Sequence, residues 1–157
     1  MRDLDDLDVE EIAMALADQT DGEHAWLIDP VTGQIVFWTS ESGIDGETRV
    51  DLDDLEHLIL IEPLAPSIWY RDMVDFVNGI TDDRAGGRLG RALEGRGAFR
   101  RFKDELYRDF PELIAVWHAF RDTRAERRAV QWLADQDIVS EDAAQAFLAE
   151  HRDPDLP

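Results

Sequence analysis

The 157-residue chain has no cysteine, which excludes disulfides and thiolate metal sites and makes a reducing cytoplasm its simplest location. No apolar run approaches the roughly 20 residues that a helix needs to cross a bilayer. The opening Met1-Arg2-Asp3-Leu4-Asp5-Asp6 is acidic where a signal peptide is basic, so a soluble intracellular protein with no membrane association is expected. No His-x-x-x-His or carboxylate–His metal spacing and no Gly-x-Ser-x-Gly elbow occurs, and His24, His57, His118 and His151 are dispersed. Asp51, Asp53, Asp54 and Glu56 lack the glycine and terminal glutamate of a calcium loop and read as a solvated acidic loop. No catalytic residue, metal or cofactor is therefore assigned. Internal repeats and low-complexity linkers are also missing.

Positive charge is the scarce commodity of what is there: 16 Lys and Arg face 36 Asp and Glu, a net charge of −20. The imbalance is local. Residues 1–66 hold 18 acids and two bases, a net of −16, and residues 67–157 hold 18 acids and 14 bases. The acidic half repels nucleic acid and anionic membrane at long range, and serves solubility, a basic partner or mimicry of a polyanion. With 44% hydrophobic residues the chain is too apolar for disorder. Its length suits one domain, residues 1–157, burying roughly 70% of its unfolded surface.

Along the chain, Asp8 and Glu11 form a capping box for a first helix over residues 9–19, with Val9, Ile12, Ala13, Leu16 and Ala17 at helical spacing and Thr20-Asp21-Gly22 as its stop. Residues 25–29 and 34–39 predict a hairpin around Pro30-Val31-Thr32-Gly33. Residues 57–61 predict a third strand, reached through an acidic connection over 40–56 and stopped by Pro63 and Pro66. Both hairpin strands are apolar on both faces, which calls for cover on each side. From Ser67 the period becomes helical, with Trp69, Met73, Phe76, Val77 and Ile80 in one stripe and Thr81 or Asp82 capping the next helix. Pro111 suits the first turn of a helix of about 25 residues, apolar at Leu113, Trp117, Phe120, Ala129, Trp132 and Leu133, with a charged waist over 121–128 where a kink near Thr123 is an alternative. Ser140 starts a last helix, and the tail 153–157 is expected to fray. The fold class is α+β: an acidic N-terminal helix (1–23), a small antiparallel sheet of hairpin plus third strand (24–66), and a helical part (67–152) on which that sheet packs.

One stretch, residues 88–106, gathers glycine, positive charge and two aromatics. Leu89, Ala92 and Leu93 end a helix at Gly95, and Gly97 precedes a second helix whose Phe99, Phe102 and Leu106 are expected to be buried. From Arg84 to Lys103 there are seven bases and one acid, Glu94.

Several blocks together carry a resemblance. They are Gly33-Gln34-Ile35-Val36-Phe37, Ile61-Glu62-Pro63, Tyr70-Arg71-Asp72-Met73-Val74-Asp75-Phe76-Val77, Leu93-Glu94-Gly95-Arg96-Gly97-Ala98-Phe99-Arg100-Arg101-Phe102-Lys103-Asp104, Trp117-His118-Ala119-Phe120-Arg121-Asp122 and Trp132-Leu133. In these the chain resembles a bacterial family known as uncharacterised protein family 0158, over roughly residues 26–138. The resemblance implies the fold and no mechanism.

The candidate site is the basic block Arg88, Arg91, Arg96, Arg100, Arg101 and Lys103. Two glycines before a helix leave backbone N–H groups for an anion, with Arg96, Arg100 and Arg101 to fork onto it. The competing reading is a packing joint whose arginines are solvated or paired with Glu94, Asp104 or Glu105. Nucleic acid could use the same bases and Arg71, with Trp69 or Tyr70 stacking, against the net charge. Five tryptophans, Trp26, Trp38, Trp69, Trp117 and Trp132, offer aromatic contact surface if exposed. The function these features favour is a non-catalytic protein-interaction or regulatory module using the basic helical face toward a protein partner. The alternative is a phosphate-bearing ligand or nucleic acid on that face.

Overall fold

The computed structural model describes residues 1–157 except Thr20, Asp21, Asp45, Glu47 and Thr48, so the predicted stop of the first helix lies partly outside the described residues. Among the described residues the chain forms an α+β fold of three strands and six α-helices, and it divides into two compact units. One comprises residues 1–64 and 125–151, the other 65–124 and 152–157.

In the first unit, α1 (Val9–Ala17) begins where the Asp8 carboxylate accepts the Glu11 N–H at 3.0 Å. Helix α1 buries Ile12, Ala13, Ala15 and Leu16. Strands β1 (His24–Ile28) and β2 (Ile35–Thr39) make the hairpin, and β3 (Ile59–Ile61) pairs antiparallel with β1, giving the order β2-β1-β3. At the turn, the Asp29 carboxylate accepts the Val31 N–H, and this bond first of all holds its carboxyl below the ordinary value. One sheet face, Ala25, Leu27 and Trp38, is covered by Leu55, with Val50, Leu52 and Leu58 beside it, and α1 packs near β3. Helix α6 (Glu141–Glu150) starts at Ser140, whose hydroxyl accepts the Ala143 N–H, and ends where Arg127 donates to the carbonyls of Leu148 and His151.

The second unit is built on aromatic packing. Helices α2 (Pro66–Gly79), α3 (Asp83–Ala92), α4 (Ala98–Asp109) and the first half of α5 (Ile114–Asp135) surround Phe76, Phe102, Trp117 and Phe120. Phe76 and Phe102 lie within 5.1 Å and 5.0 Å of the Trp117 ring, edge to face. Pro66, read from sequence as a strand stop, opens α2, and Asp82 rather than Thr81 caps α3. The charged waist of α5 falls at the boundary between the units at residues 124 and 125.

Asp72 lies on the buried face of α2, 1% exposed, beside Met73 and Phe76. Arg124 answers it: Nη1 reaches Asp72 Oδ1 at 3.3 Å and Asp75 Oδ2 at 2.6 Å, Nη2 reaches Asp153 Oδ2 at 3.0 Å, and the guanidinium stands 4.7 Å over the Phe120 ring. Burial opposes the charge on Arg124, but the bonds it donates to Asp75, Asp153 and Asp72 outweigh this and hold the guanidinium above its ordinary pKa. Asp153 belongs to the tail expected to fray. Instead, the Pro157 carbonyl accepts the Thr81 N–H at 2.9 Å and Leu156 seats on the core against Gly79. A Cβ at Gly79 would stand 2.5 Å from Leu156 Cδ1, so the glycine makes room for the tail.

Arg124→Met removes the guanidinium that three carboxylates, buried Asp72 among them, share, and is expected to destabilise by about 3–5 kcal/mol in urea denaturation. Arg71→Ala, which removes an exposed partner of Asp75, should cost less than about 0.5 kcal/mol in the same assay.

Candidate functional site

Helices α3 and α4 pack on each other and carry the basic block. The Asp82 carboxylate accepts the Arg84 and Ala85 N–H groups and starts α3, which buries Ala85 and Leu89. The connection over residues 93–97 turns through Gly95 and Gly97, both at φ +76°, where a side chain is strained. The helix end, glycine joint and helix start read from the sequence are all present.

Arg101 closes this joint from α4. Its Nε donates to the Ala92 carbonyl at 3.1 Å, and its two terminal nitrogens donate to the carbonyls of Glu94 and Arg96. These carbonyls lie at and just past the α3 C-terminus, where no intrahelical partner is left and a cation is favoured. Arg101 is thus a clamp on its own backbone. A Cβ at Gly97 would come within 3.2 Å of Arg101 Nη1, so the clamp also needs the glycine.

The other predicted residues divide. Arg88 is bound by Glu105 Oε1 at 2.6 Å and Asp109 Oδ2 at 2.7 Å, and both acids are shared with Arg108. Partial desolvation pushes the Asp109 carboxyl up, but the hydrogen bond from Arg108 and the charges of Arg88 and Arg108 win and hold it below the ordinary value. Arg108 is raised in turn, first by its bond to Asp109. Arg100 makes a 3.8 Å pair with Asp104, with its side chain 90% exposed. The Lys103 ammonium stands 5.7 Å over the Tyr107 ring. Arg91 and Arg96 are exposed and have no ion-pair partner among the described residues. Between the helices lies an open groove of about 390 Å³, lined by Arg88, Arg91, Arg101 and Arg108 but also by Asp104 and Glu105.

Phe99 departs from expectation. It is 48% exposed, whereas Phe102 and Leu106 are buried. Ala98 occupies the inward position in its place, and with Phe102 and Leu106 it forms an i, i+4, i+8 face. The neighbouring position, about 100° further round the helix, points out. Phe99 meets the Tyr70 ring edge-on at 6.5 Å, and the Tyr70 hydroxyl donates to the Leu93 carbonyl. Phe99, Lys103 and Tyr107, the last 43% exposed, make one outward stripe. The Tyr107 hydroxyl lies 2.9 Å from His118 Nε2. Trp38 and Trp117 are buried, at 7% and 9% exposure, and the Trp38 indole donates to the Val50 carbonyl, whereas Trp26, Trp69 and Trp132 are half-buried, so none is a fully exposed contact residue. The aromatic signal lies in Phe99 and Tyr107, which sequence periodicity either buried or passed over.

Phe102→Ala is expected to cost about 3–5 kcal/mol and Phe99→Ala under about 1 kcal/mol by chemical denaturation. Arg101→Ala should cost about 1–2 kcal/mol through the joint carbonyls it leaves, and Arg100→Ala less than about 0.5 kcal/mol. Because the Asp109 carboxyl is depressed when folded, its contribution to stability is complete above the ordinary value of 3.8 and is lost as pH falls through the lower folded value. Carboxyl NMR should show Asp109 titrating below 3.8, and the acid limb of the stability curve should flatten in Asp109→Asn.

The profile described as uncharacterised protein family UPF0158 matches residues 5–150, a span that also takes in α1 and α6, beyond the 26–138 suggested by the motifs. The UPF0158 protein PA5073 of Pseudomonas aeruginosa is 32% identical over 133 residues, covering 84% of this chain and 84% of the relative. No solved structure matches. With a family match over nearly the whole chain and a relative sharing its length, the chain belongs to the uncharacterised protein family UPF0158.

Proposed function

We propose that the chain is a non-catalytic protein-interaction or regulatory module of the bacterial cytoplasm, and that it holds a protein partner on the outward face of α4 and the α3–α4 joint. The observation that carries this reading is the stripe Phe99, Lys103 and Tyr107 beside Arg91 and Arg96. Exposed aromatics set among arginines are the side chains that dominate protein interfaces. Phe99 contributes little to the core, so its exposed ring is better explained by contact than by folding. Arg91, Arg96 and Arg100 supply charge for an acidic rim on the partner, while Arg88 and Arg101 hold the face in shape.

A phosphate-bearing ligand or nucleic acid on this face has less support. Arg101 already serves three carbonyls, Arg88 serves two carboxylates, and Asp104 and Glu105 line the groove that an anion would enter.

Affinity capture from lysate of the source organism, with and without nuclease, tests the reading with wild type, Phe99→Ala and Arg96→Glu/Arg100→Glu, each checked by thermal melt. The expected result is a nuclease-resistant protein partner retained by wild type and lost by both folded variants. Partners retained equally by all three, or lost on nuclease treatment, would contradict it.

A further inference from the structure

Strand β2 is an edge. Among the described residues it pairs with β1 on one side and with no named strand on the other. The bridge between Thr39 and Gly43, with N–H···O bonds of 3.2 and 3.0 Å in the two directions, fixes the ladder parity: Thr39 turns its N–H and C=O away from β1. An antiparallel ladder alternates, so Phe37 and Ile35 aim theirs outward too. Natural edges are usually blunted by charge, proline or a bulge. Here the edge reads Ile35-Val36-Phe37-Trp38, with neither charge nor proline.

A groove of about 520 Å³ follows this edge between β2 and the turn that carries Gly43 and Ile44. Phe37 and Ile44 are 43% and 41% exposed. On the sheet face of Phe37 a second pocket, about 440 Å³, shares Phe37, Thr39 and Ser42 with the groove. Its floor holds the Trp26 and Phe37 rings, 4.7 Å apart, and its lining includes the carboxylates Asp18, Glu23 and Glu41. Asp18 is oriented there by the Trp26 indole at 2.8 Å and by His24 Nε2 at 3.2 Å. Arg49, donating to the Ser40 carbonyl, is the base nearby.

We propose that the β2 edge is the docking site of an extended basic segment of a protein partner. The segment adds as a strand, bonding the outward N–H and C=O groups of Ile35 and Phe37. Its alternate residues place a lysine or arginine beside Phe37, over the aromatic floor and among the three carboxylates. Charge complementarity selects this occupant: residues 1–66 carry a net −16. The same charge opposes edge-to-edge pairing with a second copy. This surface belongs to the first unit and is independent of the α4 face.

The test titrates the full chain, at about 0.15 M salt, with a fluorescent octapeptide alternating valine and lysine and with its valine–glutamate counterpart, and then follows amide hydrogen exchange. Saturable binding of the lysine peptide is expected, at least about tenfold tighter than the glutamate peptide, with slowed exchange at the Ile35 and Phe37 amides. Glu41→Lys should weaken it by a similar factor, and Ile35→Pro, which removes an outward donor without a β1 bond, should weaken it while the strand pair persists. Should Ile35→Pro fail to fold, Glu41→Lys and the exchange pattern still decide. No saturable binding, equal binding of the two peptides, or binding that leaves both amides unprotected would overturn the proposal. Protection of those amides without peptide, in a concentration-dependent dimer, would also overturn it by assigning the edge to a second copy.

Discussion

The buried charge of Asp72 is the constraint on which the second unit depends. A carboxylate at 1% exposure is tolerable only with a cation brought to it. Arg124 supplies that cation from α5, and in doing so it gathers Asp75 from α2 and Asp153 from the C-terminal tail around one guanidinium. The tail then has a reason to be ordered: it delivers the third carboxylate, and Leu156 and the Pro157 carbonyl complete its seat.

The same economy governs the other cations. In a chain with 16 bases against 36 acids, several arginines serve positions where backbone or buried acids demand charge. Arg101 satisfies carbonyls at the α3 C-terminus, Arg127 satisfies those at the α6 C-terminus, and Arg88 joins α3 to α4 through Glu105 and Asp109. A planar guanidinium with several donors suits this work better than an ammonium. Within the basic block, Arg91, Arg96, Arg100 and Lys103 are left outward, around the exposed Phe99. Of the six residues of the basic block, two are therefore scaffold and four are surface, which composition alone cannot divide.

The elements were legible in the sequence wherever a local rule decides them. The Asp8, Asp82 and Ser140 caps, the hairpin and the joint at Gly95 and Gly97 each follow from residues within a few positions of one another. Long-range pairing was not legible. Asp72 falls between the stripe residues Trp69 and Phe76 and meets a partner 52 positions away, so periodicity treats it as an interruption. The tail reads as polar and Pro-rich, and only its docking onto α2 and Arg124 orders it. Phe99 fails for a geometric reason: i, i+3, i+7 and i, i+4, i+8 both fit an apolar face, and the small Ala98 decides which one faces inward. The edge of β2 is hidden likewise, because an apolar strand reads as central until the sheet order is known.

The arginines of α3, α4, α5 and the α3–α4 joint fall into locked and outward classes. Guanidinium NMR measures this most directly, through rotation about the Nε–Cζ bond and exchange of the Nε proton with water. Arg88, Arg101, Arg124 and Arg127 are predicted to show hindered rotation and slow exchange, with Arg91, Arg96 and Arg100 averaged and fast. If Arg101 and Arg124 rotate as freely as Arg96, or if Arg91 and Arg96 are themselves locked in the isolated protein, the division and the face built on it are contradicted.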